Sequence, residues 1–207
     1  AEIAILRDIQ KKSQDNAQFT VITGRRRIGK TLLALKATEN QPTVYFFVAR
    51  KTESFLCLDF IEEIKEKLEI PFLGNVSTFG ELFRYLMEYS RSLSFNLIID
   101  EFQEFLNIAP SAYSEMQKFW DLNKNESKIN LIVCGSVFSL MHKIFEDSKE
   151  PLFGRATKTL KIEPFETSVL KEVLYDHHKL FTAEDLLAFY SFTGGVPRYV
   201  QLFIDAG

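Results

Sequence analysis

The chain has 207 residues and a formal net charge of −3 at pH 7, and 46% of its residues are hydrophobic. This length and composition suit one α/β domain with a sizeable core and a small appendage. The acidic balance argues against a general nucleic-acid binder, because such proteins normally carry a basic excess that neutralises phosphates. The longest apolar run, at 131–141, is too short to cross a bilayer, so we expect no membrane association.

The two cysteines, Cys57 and Cys134, stand alone in apolar stretches. Isolated cysteines of this kind are typical of buried thiols in a reducing compartment, so we expect a cytoplasmic protein without a disulfide or a zinc knuckle. The sequence begins at Ala1, inside what reads as a helix and without an initiator methionine. We therefore expect it to be a piece of a longer protein.

Strands and helices are predicted to alternate along the first 162 residues. The predicted strands are 18–23, 43–49, 95–100, 129–135 and 156–162, and the predicted helices include 2–14, 29–38, 57–68, a segment from 78 and 111–122. The run at 43–49 is expected to be buried on both faces, and Thr78 with Glu81 fits a capping box. This alternation predicts a mostly parallel sheet between helices, with a ligand beyond the carboxyl ends of its strands.

After "EPF" at 163–165 the pattern changes to helices only. These helices are predicted at 166–176, 182–191 and 196–206. We therefore divide the chain into an α/β domain at 1–162 and a small helical lid at 163–207.

The segment "GRRRIGKT", residues 24–31, matches the phosphate-binding pattern GxxxxGK[ST] and lies between a predicted strand and a predicted helix. Its glycines let the backbone wrap around phosphates, Lys30 can reach the β- and γ-phosphates, and the Thr31 hydroxyl can bind Mg²⁺. An ordinary glycine-rich turn is the alternative. The residues expected to form the nucleotide site are Gly24, Arg25, Arg26, Arg27, Ile28, Gly29, Lys30, Thr31 and Leu32.

The three consecutive arginines of this loop occupy its variable positions. Their side chains are expected to point away from a ligand that the main chain holds, and at least two should be solvated. They can still raise the local potential and speed the capture of an anionic nucleotide.

Acidic and hydroxyl side chains follow two other buried strands. In "LIIDEFQ", Asp100 is expected to orient the Mg²⁺ and Glu101 to polarise the attacking water. Ser136 follows "LIVCG", where it either bridges the water and the γ-phosphate or caps the next helix. With Lys30, these side chains form the expected catalytic site.

These motifs, together with "PLFGRATKTLKIEPF" and "TGGVPRYV", make the chain resemble the AAA+-related P-loop ATPases, and among them the archaeal-type ATPases of the STAND group. The resemblance implies the three-layer αβα fold of P-loop NTPases, followed by the lid. It also makes Ser136 similar to a sensor-1 residue, Arg155 a catalytic arginine that senses or stabilises phosphate charge, and Arg198 similar to a sensor-2 residue at the nucleotide.

Two departures from the family pattern limit what the resemblance implies. Members usually carry an Arg-Glu motif just before the first helix, where it helps to seat the adenine. This sequence begins with "AEIAIL", so the residues that recognise the base are only partly visible in it. Members also usually continue into a winged-helix module, often with a nuclease-like domain. We therefore expect any DNA or protein partner to bind through domains outside this sequence.

Three functions remain open. The leading one is a Mg²⁺-dependent ATPase whose hydrolysis of ATP to ADP moves the lid and signals to attached domains, with Arg155 acting on the nucleotide of a second copy. The second is a nucleotide-dependent switch or scaffold with negligible turnover. The third is a small-molecule kinase, which would normally have an arginine-rich lid over an acceptor pocket and would seldom need an acidic pair at the end of a strand. A GTPase is disfavoured because "NKNE" at 123–126 departs from NKxD and precedes a strand.

Overall fold

The computed structural model describes residues 1–70 and 76–206. Its strands are β1 Gln18–Gly24, β2 Thr43–Phe47, β3 Phe95–Asp100, β4 Ile129–Gly135 and β5 Lys158–Ile162. Its helices are α1 Glu2–Lys12, α2 Lys30–Thr38, α3 Glu53–Leu68, α4 Phe79–Tyr89, α5 Phe105–Ile108, α6 Ser111–Asn123, α7 Phe138–Glu146, α8 Thr167–His177, α9 Ala183–Thr193 and α10 Pro197–Asp205. A 3₁₀ turn, Phe102–Glu104, joins β3 to α5.

The five strands form one parallel sheet in the order β2-β3-β4-β1-β5. Side chains alternate between its two faces, as the two-residue period of a strand requires. On β3 and β4, odd-numbered residues enter the larger core under α3, α4, α6 and α7, and even-numbered residues enter a smaller core under α1 and α2. The predicted α/β, three-layer αβα architecture with a parallel sheet is confirmed.

The expectation that 43–49 is buried on both faces was wrong. Strand β2 ends at Phe47 and lies at the edge of the sheet, so its side chains alternate between buried and partly exposed. The Phe47 side chain is 51% exposed. Strand order decides this burial, and an apolar run does not reveal which position its strand takes.

The capping box predicted at the start of α4 is only half formed. The Thr78 hydroxyl accepts a hydrogen bond from the Glu81 amide at 3.3 Å, but the Glu81 carboxylate accepts from the amide of Ser77. The structure places a complete box at α9, between Thr182 and Asp185. There the aspartate takes the position where the usual pattern has glutamate or glutamine.

The last three helices, α8 to α10, follow β5 directly. They surround a small apolar cluster of their own, made of Leu170, Leu174, Phe189 and Val200. The Phe165 amide donates to the Gly195 carbonyl at 2.8 Å, which ties the chain after β5 to the start of α10. The division of the chain after residue 162 stays a prediction.

Candidate functional site

The loop between β1 and α2 has a backbone that its two glycines make possible. Gly24 has a φ of +152°, and a Cβ at this position would lie 2.7 Å from the main-chain oxygen of Ile162 on β5. Gly29 has a φ of +94° and precedes the first residue of α2. Side chains are strongly disfavoured in such conformations, so both glycines of the motif are required by the fold of the loop itself.

Lys30 begins α2 with its side chain folded over this loop. It is 7% exposed, and its ammonium donates to the main-chain oxygens of Gly24 at 2.9 Å and Arg25 at 3.1 Å. Burial lowers the pKa of Lys30, and the nearby charges of Asp100 and Glu101 oppose that effect. The first amides of a helix have no intrahelical acceptor and attract anions. The loop, the helix start and the ammonium therefore fit a phosphate group.

Asp100, 6% exposed, ends β3 beside this helix start. Its Oδ2 accepts hydrogen bonds from the Thr31 hydroxyl and from the Tyr45 hydroxyl, the latter at 3.1 Å. Its Oδ1 accepts from the amide of Glu101 at 2.9 Å. Hydroxyl and carboxylate oxygens are ligands that Mg²⁺ prefers, so Thr31 and Asp100 fit the ion that the sequence predicts.

Sequence reasoning did not identify Tyr45, which lies on β2 beside the Asp100 strand. Burial and the charge of Asp100 raise its pKa, so its hydroxyl remains a donor at physiological pH. Tyr45 occupies one of the partly exposed positions of an edge strand. Its sequence signal is a polar-tipped residue within an apolar run, a pattern that also fits core packing.

Glu101 follows Asp100 and connects three structural elements. One oxygen of its carboxylate, Oε2, accepts hydrogen bonds from Gln103 in the 3₁₀ turn and from Ser136 after β4, the latter at 2.9 Å. Strand β4 lies between β1 and β3, which brings Ser136 to this position. The alternative that Ser136 caps the next helix is wrong, because the N-cap residue of α7 is Val137. Sequence reasoning did not single out Gln103.

Two adjoining clefts meet at Glu101. One, of about 360 Å³, is bordered by the phosphate loop and by the start of α10; its lining includes Arg26, Arg27, Gly29, Lys30, Thr31, Leu32, Asp100, Glu101 and Arg198. The other, of about 580 Å³, lies on the far side of Glu101, near β2. Of these two clefts, the smaller one has the helix start and Lys30 on its wall.

Ile28 and Leu32, which the sequence assigns to the nucleotide site, differ in how much of the side chain is exposed. Ile28 is 3% exposed, so its side chain is buried beneath the loop and only its main chain can contribute. Leu32 is 71% exposed and borders the smaller cleft.

The arginines of the loop are all exposed, as expected for variable positions. Arg25 lies away from the smaller cleft, whereas Arg26 borders both clefts. Arg27 stacks on the ring of Tyr199, with its guanidinium carbon 5.5 Å from the ring centroid. Arg198, exposed at the start of α10, reaches the smaller cleft and donates to Gln201 at 3.0 Å.

Arg155 does not reach either cleft. It lies just before β5, whose first residues pair with the beginning of β1, so it sits at the amino edge of the sheet. Its guanidinium forms an ion pair with Asp121 of α6 at 2.7 Å and donates to the Phe153 carbonyl. Catalysis by Arg155 on the nucleotide of its own chain does not fit this position, because the phosphate loop lies at the opposite edge.

Residues 1–70 and 76–206 contain neither a candidate membrane span nor a preformed cluster of metal ligands. None of the helices there is both long and apolar enough to span a membrane. In the same residues, no cluster of three or more histidine, cysteine or acidic side chains has the arrangement of a metal site.

Comparison with known proteins gives relatives among archaeal proteins. The uncharacterized protein MJECL04 of Methanocaldococcus jannaschii is 32% identical over 192 residues, which are 93% of this chain and 40% of MJECL04. A second uncharacterized protein of that organism, MJ0424, is 34% identical over 67 residues, which are 32% of this chain and 65% of MJ0424. The chain thus spans less than two thirds of either curated relative.

Solved structures share the fold at low sequence identity. The Walker-type ATPase PABY2304 of Pyrococcus abyssi superposes with a TM-score of 0.69 at 20% identity, over 97% of this chain and 65% of that one. Cdc6p of Pyrobaculum aerophilum gives 0.60 at 19% identity, over 92% and 53%. A STAND protein of Pyrococcus horikoshii with a tetratricopeptide repeat sensor gives 0.59 at 17% identity, over 97% and 29%.

A family model for an ATPase domain found predominantly in Archaea matches residues 1–203, which is nearly the whole chain. The match includes the phosphate loop, the acidic pair that ends β3 and the lid helices. The chain therefore belongs to this family of predominantly archaeal ATPase domains.

Proposed function

We propose that the domain binds ATP together with Mg²⁺ and hydrolyses the β–γ phosphoanhydride bond. The observation that carries this proposal is the convergence of Lys30, Thr31, Asp100 and Glu101 on one cleft at the carboxyl edge of the sheet, with Ser136 hydrogen-bonded to Glu101 from the adjoining cleft. These residues come from three strand ends that are far apart in sequence. Phosphoryl transfer to water requires a site for the phosphates, ligands for the metal ion and a base for the water. The start of α2, the oxygens of Thr31 and Asp100, and the Glu101 carboxylate fit these three requirements in turn.

Each side chain has a distinct part in this reaction. Lys30, now bonded to loop carbonyls, exchanges those acceptors for phosphate oxygens, and Thr31 and Asp100 hold the Mg²⁺. When bound, the ion neutralises charge that develops on the phosphates. The Glu101 carboxylate orients a water and accepts its proton, and Ser136 fixes that carboxylate through its hydrogen bond.

The lid is proposed to follow the state of the nucleotide. Arg198 at the start of α10 borders the same cleft as Lys30, so a phosphate bound there attracts a cation that the lid carries. Loss of the γ-phosphate weakens this attraction and lets the lid move. In the longer relatives such a motion would reach attached domains, through which a protein or DNA partner would bind.

Two variants test the hydrolytic proposal. Lys30→Ala should lose ATP binding, because its ammonium is the buried cation on the cleft wall. Glu101→Gln should bind ATP but hydrolyse it at least about a hundredfold more slowly, the usual contribution of a general base. Binding is measured by calorimetry and turnover by phosphate release. Wild-type turnover in both variants contradicts the proposal.

A nucleotide-dependent switch with negligible turnover is the second candidate. The position of Arg155 favours it, because the guanidinium lies at the amino edge of the sheet, away from the phosphate loop of its own chain. An isolated chain would then bind ATP and scarcely hydrolyse it. Single-turnover rates measured across a range of protein concentrations, with Arg155→Ala as the comparison, distinguish a switch from an ATPase completed by self-association.

The two cysteines bear on the cellular compartment. Cys57 and Cys134 are both free and buried, and unpaired thiols are usual where glutathione keeps proteins reduced. We therefore propose a cytoplasmic location for the domain.

A further inference from the structure

Gln103 is a buried polar side chain directly behind Glu101. It lies in the 3₁₀ turn after β3 and is 1% exposed. Its amide nitrogen donates to Oε2 of Glu101, while its own oxygen, Oε1, is buried without a hydrogen-bond partner among the described residues. A buried carboxamide whose oxygen accepts no hydrogen bond lowers the free energy of unfolding relative to an apolar side chain of the same shape. Packing alone therefore does not account for a glutamine here.

The hydrogen bond fixes which end of the amide faces Glu101. An ionised carboxylate only accepts hydrogen bonds, so the amide nitrogen must point toward it and the amide oxygen must point away. That oxygen is directed at the end of β4, where a Cβ added to Gly135 would lie 2.8 Å from it. The absence of a side chain at Gly135 thus leaves the space that the carboxamide occupies.

Glu101 itself has a constrained backbone. Its φ of +53° and ψ of +40° lie in the left-handed region, which costs a residue with a side chain about 1–2 kcal/mol. Such conformations persist where the surroundings determine them, and they are frequent at functional sites. Here the Glu101 amide is held by Asp100, and its carboxylate is held by Gln103 and Ser136.

Both side-chain donors act on the same carboxylate oxygen. Gln103 and Ser136 donate to Oε2 of Glu101, and they come from the turn after β3 and the end of β4. Neither donor holds the other oxygen, Oε1, and Glu101 also borders the phosphate-loop cleft. Gln103 borders only the larger cleft, on the other side of Glu101, and so does not reach a nucleotide at Lys30.

We propose that Gln103 is a positioning residue for ATP hydrolysis. Its carboxamide, together with Ser136, holds Oε2 of Glu101 so that Oε1 is presented to the attacking water. The proposal rests on the proposed hydrolytic function and names a residue on which that function depends.

Gln103→Met tests this role because methionine has nearly the same length and no donor. We expect kcat to fall by about tenfold or more, because small displacements of a catalytic group are costly, while KM and the Kd for ATP stay within about twofold. The free energy of unfolding should be unchanged or raised, since the unpartnered Oε1 is removed. A purely structural role predicts the reverse pattern, with lost stability and unchanged turnover per folded molecule.

Two comparisons isolate the effect. Gln18→Met makes the same substitution at a residue that is 7% exposed and lies at the opposite edge of the sheet, and it should leave kcat unchanged. In a Glu101→Gln background, Gln103→Met should cause no further loss, because the two residues act through one group.

The outcomes separate this proposal from the function on which it rests. If Glu101→Gln abolishes turnover and folded Gln103→Met retains wild-type kcat, the role of Gln103 is refuted and the hydrolytic function stands. An equal loss from Gln103→Met with and without Glu101→Gln also refutes it. If Glu101→Gln hydrolyses ATP at the wild-type rate, the hydrolytic function fails, and the proposal for Gln103 fails with it.

Discussion

Arg27 and Tyr199 form a direct side-chain contact between the phosphate loop and helix α10 of the lid. The guanidinium carbon lies 5.5 Å from the ring centroid, and Nη1 donates to the Tyr199 hydroxyl at 3.4 Å. That hydrogen bond is long, so the stacking should carry most of the interaction. An exposed cation–π contact stabilises by about 0.5–1 kcal/mol. We predict that this contact holds the start of α10 against the loop.

Three substitutions separate the parts of the contact. Arg27→Ala removes the cation, Tyr199→Leu removes the ring, and Tyr199→Phe keeps the ring while removing the hydroxyl. A double-mutant cycle between Arg27→Ala and Tyr199→Leu should give a coupling free energy of about 0.5–1 kcal/mol. The cycle with Tyr199→Phe should give little, because the long hydrogen bond contributes less than the stacking.

Hydrogen exchange at the amides of α10 is the suitable assay, because the lid has a small core of its own and we predict that it opens separately from the sheet. Arg27→Ala should speed exchange there by about two- to fivefold, which corresponds to the expected free energy. Amides of β1, β3 and β4 should be unaffected. Equal acceleration in the lid and the sheet, or a Tyr199→Phe effect as large as that of Tyr199→Leu, refutes the reasoning.

Arg27→Gly is a useful companion variant because Arg27 has a φ of +68°. Glycine removes the same contact but relieves backbone strain of about 1 kcal/mol. The lid should therefore loosen as it does in Arg27→Ala, whereas the overall free energy of unfolding should be higher than in Arg27→Ala.

Three further predictions concern the loop, the metal and the surface. Gly24→Ala should destabilise the fold by at least about 2 kcal/mol in chemical denaturation, since its Cβ would meet the Ile162 carbonyl at 2.7 Å. Thr31→Val should remove the Mg²⁺ dependence of ATP affinity, so that EDTA weakens binding by roughly tenfold in the wild type and hardly at all in the variant. Burial raises the pKa of Glu115, with help from two neighbouring glutamates. The folded state therefore prefers its protonated form, and stability should fall as pH rises above the ordinary value of 4.5; Glu115→Gln should remove that fall in pH-dependent unfolding.

Much of the sheet and its loop follows from local sequence because short-range physics decides those features. Continuous apolar runs predicted β3 and β4 with the same first and last residues that the structure shows. The spacing of the glycines predicted the loop from Gly24 to Thr31. The positions of Asp100 and Ser136 follow from one rule, that the carboxyl ends of parallel strands meet at one edge.

Residues that act through long-range contacts were not predictable in the same way. Tyr45 reaches Asp100 because β2 pairs with β3. The order of strands in a sheet cannot be predicted from the local sequence pattern of any one strand. Gln103 contributes because a 3₁₀ turn after β3 folds its side chain back toward Glu101. In the sequence "EFQEF" at 101–105, Gln103 is the central polar residue. This pattern fits a solvent-exposed turn as well as it fits a buried contact with Glu101.

Strand direction explains why the two arginines named from family resemblance differ in position. Helix α7 leaves the carboxyl edge and returns the chain to the amino edge, where Arg155 pairs with Asp121. Strand β5 then carries the chain back to the carboxyl edge, so the lid and Arg198 lie beside the phosphate loop. Arg198 therefore borders the phosphate-loop cleft of its own chain, whereas Arg155 does not reach that cleft. A rate that depends on Arg155 should accordingly depend on protein concentration, and one that depends on Arg198 alone should not.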